Sequence, residues 1–296
     1  MTHFSKIGFI GLGAMGFGMA SNILNKHGQL NVIGNRNRVP VDKLVQLGAR
    51  ECENYTTLAR QSDVVFMCLP NSDIVEQVVE ELMPSLRPGQ VLIDTGTSSL
   101  ASTALLAARL QERKILFAEA PLTGGIAQSN AGKLGALVGA TTEVFEKIEP
   151  LLSHFCSSVQ HFGPIGAGGR AKFVNNYMVF GIAALVFEAF HVADMTETDW
   201  DKMYDVVIRG SADSGVFRRI IGNAKDGDFE GYVFDVNGAL KDMTYITEMN
   251  ASLGRNTPMN KAVLNIFKRA SELGYGNLRI SELLRPEIRK KLFLPN

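Results

Sequence analysis

The sequence predicts an α/β amino-terminal domain with a doubly wound, mainly parallel sheet, followed by an all-α carboxy-terminal domain, the two joined by a long helix. Three observations carry that prediction. From residue 6 to about residue 162, short apolar runs alternate with stretches of helical period; a glycine cluster follows directly on the first run; and after residue 163 the β-branched runs largely stop while helical patterns continue to the end. Strands separated by helices of roughly 10–15 residues make a parallel sheet with right-handed crossovers, covered on both faces.

Taken in order, the expected strand and helix pairs are 6–10 with 15–26, 30–34 with 40–47, 64–69 with 73–82, and 91–94 with 99–111. Two further runs, 116–120 and 134–138, flank a link containing Gly, Ser and Asn and extend the sheet. A helix starting near Gly168 or Gly169 then runs to about Glu188, followed by helices at about 199–210, 216–223, 237–253, 258–273 and 281–290. The expected division is 1–163 for the α/β domain, 164–195 for the connecting helix and 196–296 for the helical domain.

Composition narrows the partners. Thirty basic and thirty acidic residues cancel, which gives no electrostatic footprint for nucleic acid or an anionic membrane. The longest uninterrupted apolar run, Tyr177 to Phe187, spans eleven residues, short of the ~18 that crossing a bilayer requires. About five residues precede the first strand-like run, which leaves no room for a signal peptide. The expectation is a soluble, cytoplasmic protein with no membrane or nucleic-acid partner. Cys52, Cys68 and Cys156 form no CxxC and the five histidines no HxxxH, so neither a disulfide framework nor a metal site is expected.

Gly11-Leu-Gly13-Ala-Met-Gly16 follows the first strand and opens a helix, the context in which GxGxxG is a dinucleotide fingerprint. Gly11 permits the tight turn, Gly13 lets backbone approach a pyrophosphate, and Gly16 lets helix and strand pack closely; Leu12, Ala14 and Met15 complete the loop. The helix N-terminus supplies free N–H groups and a favourable dipole for the phosphates. About twenty residues on, where an acid usually binds the ribose of NAD, stand Asn35, Arg36, Asn37 and Arg38. Asn35 suits the ribose, Arg36 suits a 2′-phosphate and Arg38 is placed to help, so NADP(H) is favoured and NAD remains possible. The alternative for both arginines is a pair of solvated loop charges. Leu69 and Pro70 offer an apolar wall for a nicotinamide and Thr97 a donor, or each belongs to an ordinary strand-to-helix turn.

In the long helix Lys172, Asn175 and Asn176 are spaced i, i+3, i+4 and share a face continued by Val179, Ala183 and Val186. Polar groups on a face that otherwise reads as core are either a satisfied structural network or a reaction centre.

Four segments, in order, resemble the β-hydroxyacid dehydrogenase family: Gly8-Phe-Ile-Gly-Leu-Gly-Ala-Met-Gly16, Glu119-Ala-Pro-Leu-Thr-Gly-Gly125, Gly166-Ala-Gly-Gly-Arg-Ala-Lys-Phe-Val-Asn-Asn176, and Leu240-Lys-Asp242. The resemblance covers nearly the whole chain. It implies a Rossmann domain, a helical domain, a homodimer or homotetramer, and a small hydroxy acid or semialdehyde as substrate. It also implies Lys172 as catalytic lysine, Asn176 as a substrate-orienting amide, Thr123, Gly124 and Gly125 as the substrate segment, and Lys241 at the cofactor. The family usually carries serine where this chain has Thr123. It also differs at Leu278-Arg279-Ile280-Ser281, where Asp-x-Ser is more usual, and at Asp194-Met-Thr-Glu-Thr-Asp199, where a Gly-Leu-Asp turn is common. An imine reductase of the same architecture and a catalytically silent nucleotide-binding module are the competing readings. Lys172 speaks against the first; Lys172, Asn176 and Lys241 together speak against the second.

Overall fold

A computed structural model describes residues 4–293. The chain divides into two compact units, the first ending at Lys172 and the second beginning at Phe173. The division thus falls within the long helix.

The first unit runs β1 (Ile7–Ile10), α1 (Ala14–His27), β2 (Asn31–Ile33), α2 (Val39–Gln46), β3 (Arg50–Cys52), α3 (Tyr55–Arg60), β4 (Val64–Met67), α4 (Ser72–Leu82), β5 (Val91–Asp94), α5 (Leu100–Glu112), β6 (Leu116–Glu119), β7 (Leu122–Thr123), α6 (Ile126–Asn130), β8 (Leu134–Gly139), α7 (Thr142–Leu152) and β9 (Cys156–Gly163). The strands form one sheet in the order β3-β2-β1-β4-β5-β6-β8-β7, with β9 on β8. Pairing is parallel from β3 through β6 and between β8 and β9, and antiparallel where β8 meets β6 and β7. The first six strands therefore have the doubly wound order of a dinucleotide-binding sheet. Every residue of β1, β4 and β5 is buried, as a sheet covered on both faces requires. Alternation along β4 divides the core: Val64 and Phe66 pack with Phe9, Ile23 and Phe155, whereas Val65 and Met67 pack with Val79, Leu92 and Leu106.

The long helix α8 (Ala167–Met195) begins in the first unit and continues through the second. The second unit adds α9 (Trp200–Val207), α10 (Gly215–Ala224), α11 (Val236–Ser252), α12 (Pro258–Ala270) and α13 (Pro286–Leu292). Phe180 and Phe187 of α8 are buried against Phe267 of α12, with ring centroids 5.6 and 6.5 Å apart. Burial of each such ring contributes roughly 1.5–3 kcal/mol. By length and composition α8 is apolar enough to cross a membrane, but these phenylalanines are committed to the helical core.

The expected helix at 281–290 is two pieces. A 3₁₀ turn covers Ile280–Leu284, Arg285 is extended with ψ 134°, and α13 starts at Pro286. Proline pushes the residue before it out of the helical region, so the break is built into the sequence. The elements β3, α3, β7, α6, α7 and β9 are additions to the expected set.

Candidate active site

At the first βα turn, Gly11 has φ 96°. A Cβ there would overlap the Cys68 carbonyl, and one at Gly16 would overlap the Gly11 carbonyl, so both positions are closed to larger residues. Gly13 differs: an added Cβ would meet no heavy atom within 4 Å. It is also the N-cap of α1, where no side chain caps the first turn. Open space beside uncapped helical N–H groups fits a phosphate-bearing ligand.

Asn35, Arg36, Asn37 and Arg38 are exposed past the end of β2. Asn35 Oδ1 accepts the Arg36 N–H at 2.8 Å and Asn37 Oδ1 accepts the Val39 N–H at 3.1 Å. Arg38, expected to assist at the cofactor, is already engaged: its guanidinium forks onto Glu51 at 2.5 and 2.9 Å and reaches Asp42 at 3.0 Å. Arg36 has no carboxylate partner among the described residues. Leu69 is half-buried and Pro70 exposed just beyond β4.

The carboxyl edge of β5 and β6 holds a narrow crevice lined by Asp94, Thr97, Ser98, Glu119, Gly169 and Lys172, among others. Asp94 shapes one wall, its Oδ1 accepting the Gly96 N–H at 2.9 Å and its Oδ2 the Ser98 hydroxyl at 2.6 Å. Lys172 Nζ donates to the Leu122 carbonyl at 2.6 Å, which places the amine beside the segment containing Thr123. Glu119 is 4% exposed. Burial pushes its carboxyl up to about 7, the Asp94 charge pushes the same way, and the N–H groups of Gly169, Gly166 and Gly168 oppose them. A larger hollow around Gly28, Asn31, Arg50 and Gln61 lies at the amino ends of the strands, the edge opposite to that where ligands of such sheets bind.

In the segment after Pro121, Thr123 Oγ1 donates to the Gly135 carbonyl at a long 3.5 Å, and Gly124 has φ 105°. The Gly125 N–H donates to Gln128 Oε1 at 3.0 Å. α6 then locks onto the nucleotide-loop helix: Ser129 Oγ donates to the Met15 carbonyl at 2.6 Å and Asn22 Nδ2 to the Ser129 carbonyl at 3.0 Å.

In the second unit Asn176, 4% exposed, donates through Nδ2 to Asp242 Oδ2 at 2.6 Å and accepts through Oδ1 from Asn175 Nδ2 at 3.0 Å. Lys241 Nζ lies 3.1 Å from Asp242 Oδ1 and 5.2 Å from the centre of the Tyr245 ring. The structure thus gathers Lys172 with Thr97, and Asn176 with Lys241. Sequence reading left Asp94, Ser98, Glu119 and Asp242 unassigned. Glu119 and Asp242 lie within quoted motifs and Asp94 and Ser98 stand close to Thr97, but only the fold shows that all four are buried.

A doubly wound sheet with an open glycine cradle at its first turn defines a dinucleotide-binding protein, and comparison with known proteins narrows the class. Residues 6–163 match the NAD-binding domain of 6-phosphogluconate dehydrogenase, and residues 166–286 match the NAD-binding domain of NADP-dependent 3-hydroxyisobutyrate dehydrogenase. The chain is 32% identical to the 2-(hydroxymethyl)glutarate dehydrogenase of Eubacterium barkeri over 95% of its length and 94% of that protein. It is 28% identical to the L-threonate dehydrogenase of Pectobacterium atrosepticum over 91% and 90% of the two chains. The crystal structure of a 3-hydroxyisobutyrate dehydrogenase from Salmonella typhimurium superposes with TM-score 0.86 at 25% identity, covering 95% of this chain and 99% of that one. An imine reductase from Myxococcus stipitatus shares the fold more distantly, with TM-score 0.66 and 14% identity over 99% and 100% of the chains. The chain belongs to the β-hydroxyacid dehydrogenase family, NAD(P)-dependent enzymes acting on CH–OH groups.

Proposed function

We propose that the protein interconverts a small 3-hydroxy acid and the corresponding semialdehyde or oxo acid, using NADP(H) in preference to NAD(H), with Lys172 as general acid and base. The observation that carries this reading is the Lys172 amine, held 2.6 Å from the Leu122 carbonyl in a crevice at the carboxyl edge of the sheet. When bound, the nicotinamide takes or gives the hydride. In oxidation the substrate's hydroxyl proton passes to Lys172 Nζ; in reduction Nζ returns a proton to the carbonyl oxygen. Thr123, with the backbone at Gly124, binds the substrate's acid group. With its N–H committed to Gln128, Gly125 serves to shape that turn. Asn176, oriented by Asp242, presents its amide to the substrate, and Lys241 serves the cofactor.

Cradle and loop supply the cofactor reading: the space at Gly13 for the pyrophosphate, Asn35 with Asn37 for the ribose, Arg36 for the 2′-phosphate, and Leu69, Pro70 and Thr97 around the nicotinamide. The substrate class draws on relatives named for 2-(hydroxymethyl)glutarate, L-threonate and 3-sulfolactaldehyde, which join an acid group to an alcohol or an aldehyde. A cytoplasmic homodimer or homotetramer completes the proposal.

The test is a panel of small hydroxy acids, including these compounds and 3-hydroxyisobutyrate, with NADP⁺ and NAD⁺, on wild type and Lys172→Ala. Loss of a general acid lowers kcat by about 10²–10⁴-fold while cofactor affinity stays. A kcat within about threefold of wild type means that under ~1 kcal/mol of transition-state stabilisation was lost, which rules out the role.

A further inference from the structure

Glu119 ends β6 at the carboxyl edge of the sheet and pairs across the antiparallel bridge with Gly139, the last residue of β8. A Cβ on Gly139 would overlap Glu119 Oε1 and stand 2.9 Å from the Gly168 nitrogen; a Cβ on Gly169 would stand 3.1 Å from Glu119 Oε2. One carboxyl group therefore fills the gap between a strand end and the first turn of α8, and glycines on both sides make the room. The N–H groups of Gly169, Gly166 and Gly168 lie near enough to favour its charged form, although Oε1 completes no hydrogen bond. Lys172 follows Gly169 by three residues, about one helical turn, and lines the same crevice.

We propose that Glu119 is a positioning residue for Lys172: wedged between Gly139 and the start of α8, its side chain fixes where that helix begins and so where the amine stands. This rests on the reading of Lys172 as the catalytic acid and base. The free N–H groups and the helix dipole draw the charged carboxyl toward the start of α8, while its burial opposes that charge and outweighs them, so the charged form positions the helix at a cost in stability. Of the titratable groups on the packed elements, Asp94 on β5 and Lys172 on α8 line the same crevice, Arg170 on α8 stands beside Gly166, and the His161 ring on β9 is bound to the Ala140 carbonyl at 2.9 Å; β8 carries none. Burial holds the carboxyl at about 7, so its charge changes within an ordinary assay range.

Glu119→Gln keeps the shape and removes the ionisation. With the best substrate of the panel, kcat is expected to fall about tenfold or more, KM and NADPH affinity to stay within about twofold, and the wild-type ionisation of kcat near pH 7 to vanish. Amide exchange of residues 163–173, corrected for intrinsic rate, reads the anchor without any substrate. In wild type, protection is expected to fall about tenfold as pH increases through 7, because the carboxyl then carries a charge that its burial opposes, and to stay flat in Glu119→Gln. A flat wild-type profile overturns the anchor even if the variant fails to fold. A variant that keeps wild-type kcat and pH profile within about twofold overturns the link to Lys172. Retained turnover in Lys172→Ala beside a pH-dependent exchange profile leaves an anchored helix but removes its catalytic consequence, and with it the proposal.

Discussion

Two arginines lie in the turn after β2, and their neighbours separate them. Arg38 is spent on Glu51 and Asp42, so its loss should reach the cofactor only through the loop. Arg36 is exposed with no carboxylate partner among the described residues, which leaves its fork available to a phosphate. A charge-assisted bond of about 1.5–3 kcal/mol predicts that Arg36→Ala weakens NADPH binding roughly 10- to 100-fold. NADH binding should stay within about twofold, because it lacks the 2′-phosphate that this side chain would meet. Fluorescence titration of both cofactors checks this, and equal losses for the two would exclude the 2′-phosphate role. At this scale Lys172 and Asn176 stood out in the sequence as polar residues at helical spacing on an apolar face, whereas Lys241 was marked only by the resemblance to the family. Glu119 and Asp242 did not stand out. An acid is unremarkable in a linear string, and only folding sets one at 4% and the other at 2% exposure.

Among the elements, the βα turn at Gly11–Gly16 was fully legible, and the structure adds that its glycines serve different ends. At Gly13 an added Cβ meets nothing within 4 Å, whereas at Gly16 it overlaps backbone. Gly13→Ala should therefore leave the apo melting temperature within about 1 °C of wild type and weaken NADPH binding about tenfold or more, by filling the cradle. Gly16→Ala should cost about 1–3 kcal/mol of stability through overpacking even without cofactor. Denaturation melts of both apo variants with NADPH titration of Gly13→Ala decide it; similar melts for the two would contradict the division. Other elements were hidden for identifiable reasons. β3 has three residues, two of them exposed charges, and β9 is largely polar with only its first residue buried, so neither carries a strand's apolar alternation. α7 did carry a readable signal, Val144, Ile148, Leu151 and Leu152 at helical spacing behind the capping Thr141, but the β-rich runs around it dominated the pattern.

At the scale of the molecule, buried charge opposes stability, and pH separates the contributions. Burial, with the charges of His27 and Lys26, holds His154 below 6.5. Protonating it favours the unfolded chain, so its contribution is lost as pH falls below that value. Glu119 acts in the other direction. Its folded value of about 7 lies above the 4.5 of an unperturbed glutamate, so its contribution is fully present below pH 4.5 and is lost as pH rises through 7. A difference of about 2.5 units corresponds to about 3 kcal/mol. The stability of Glu119→Gln relative to wild type should therefore rise between pH 4.5 and 7 and level off above, because glutamine has no charge to bury. Urea unfolding followed by circular dichroism at several pH values measures that gap, and the subtraction removes His154, which both proteins share. A gap independent of pH would mean that Glu119 does not titrate in this window. A gap that opens as expected, together with impaired turnover, would show a carboxylate kept at a cost in stability that an amide of the same shape avoids. That is the trade expected of a group retained for function rather than for packing.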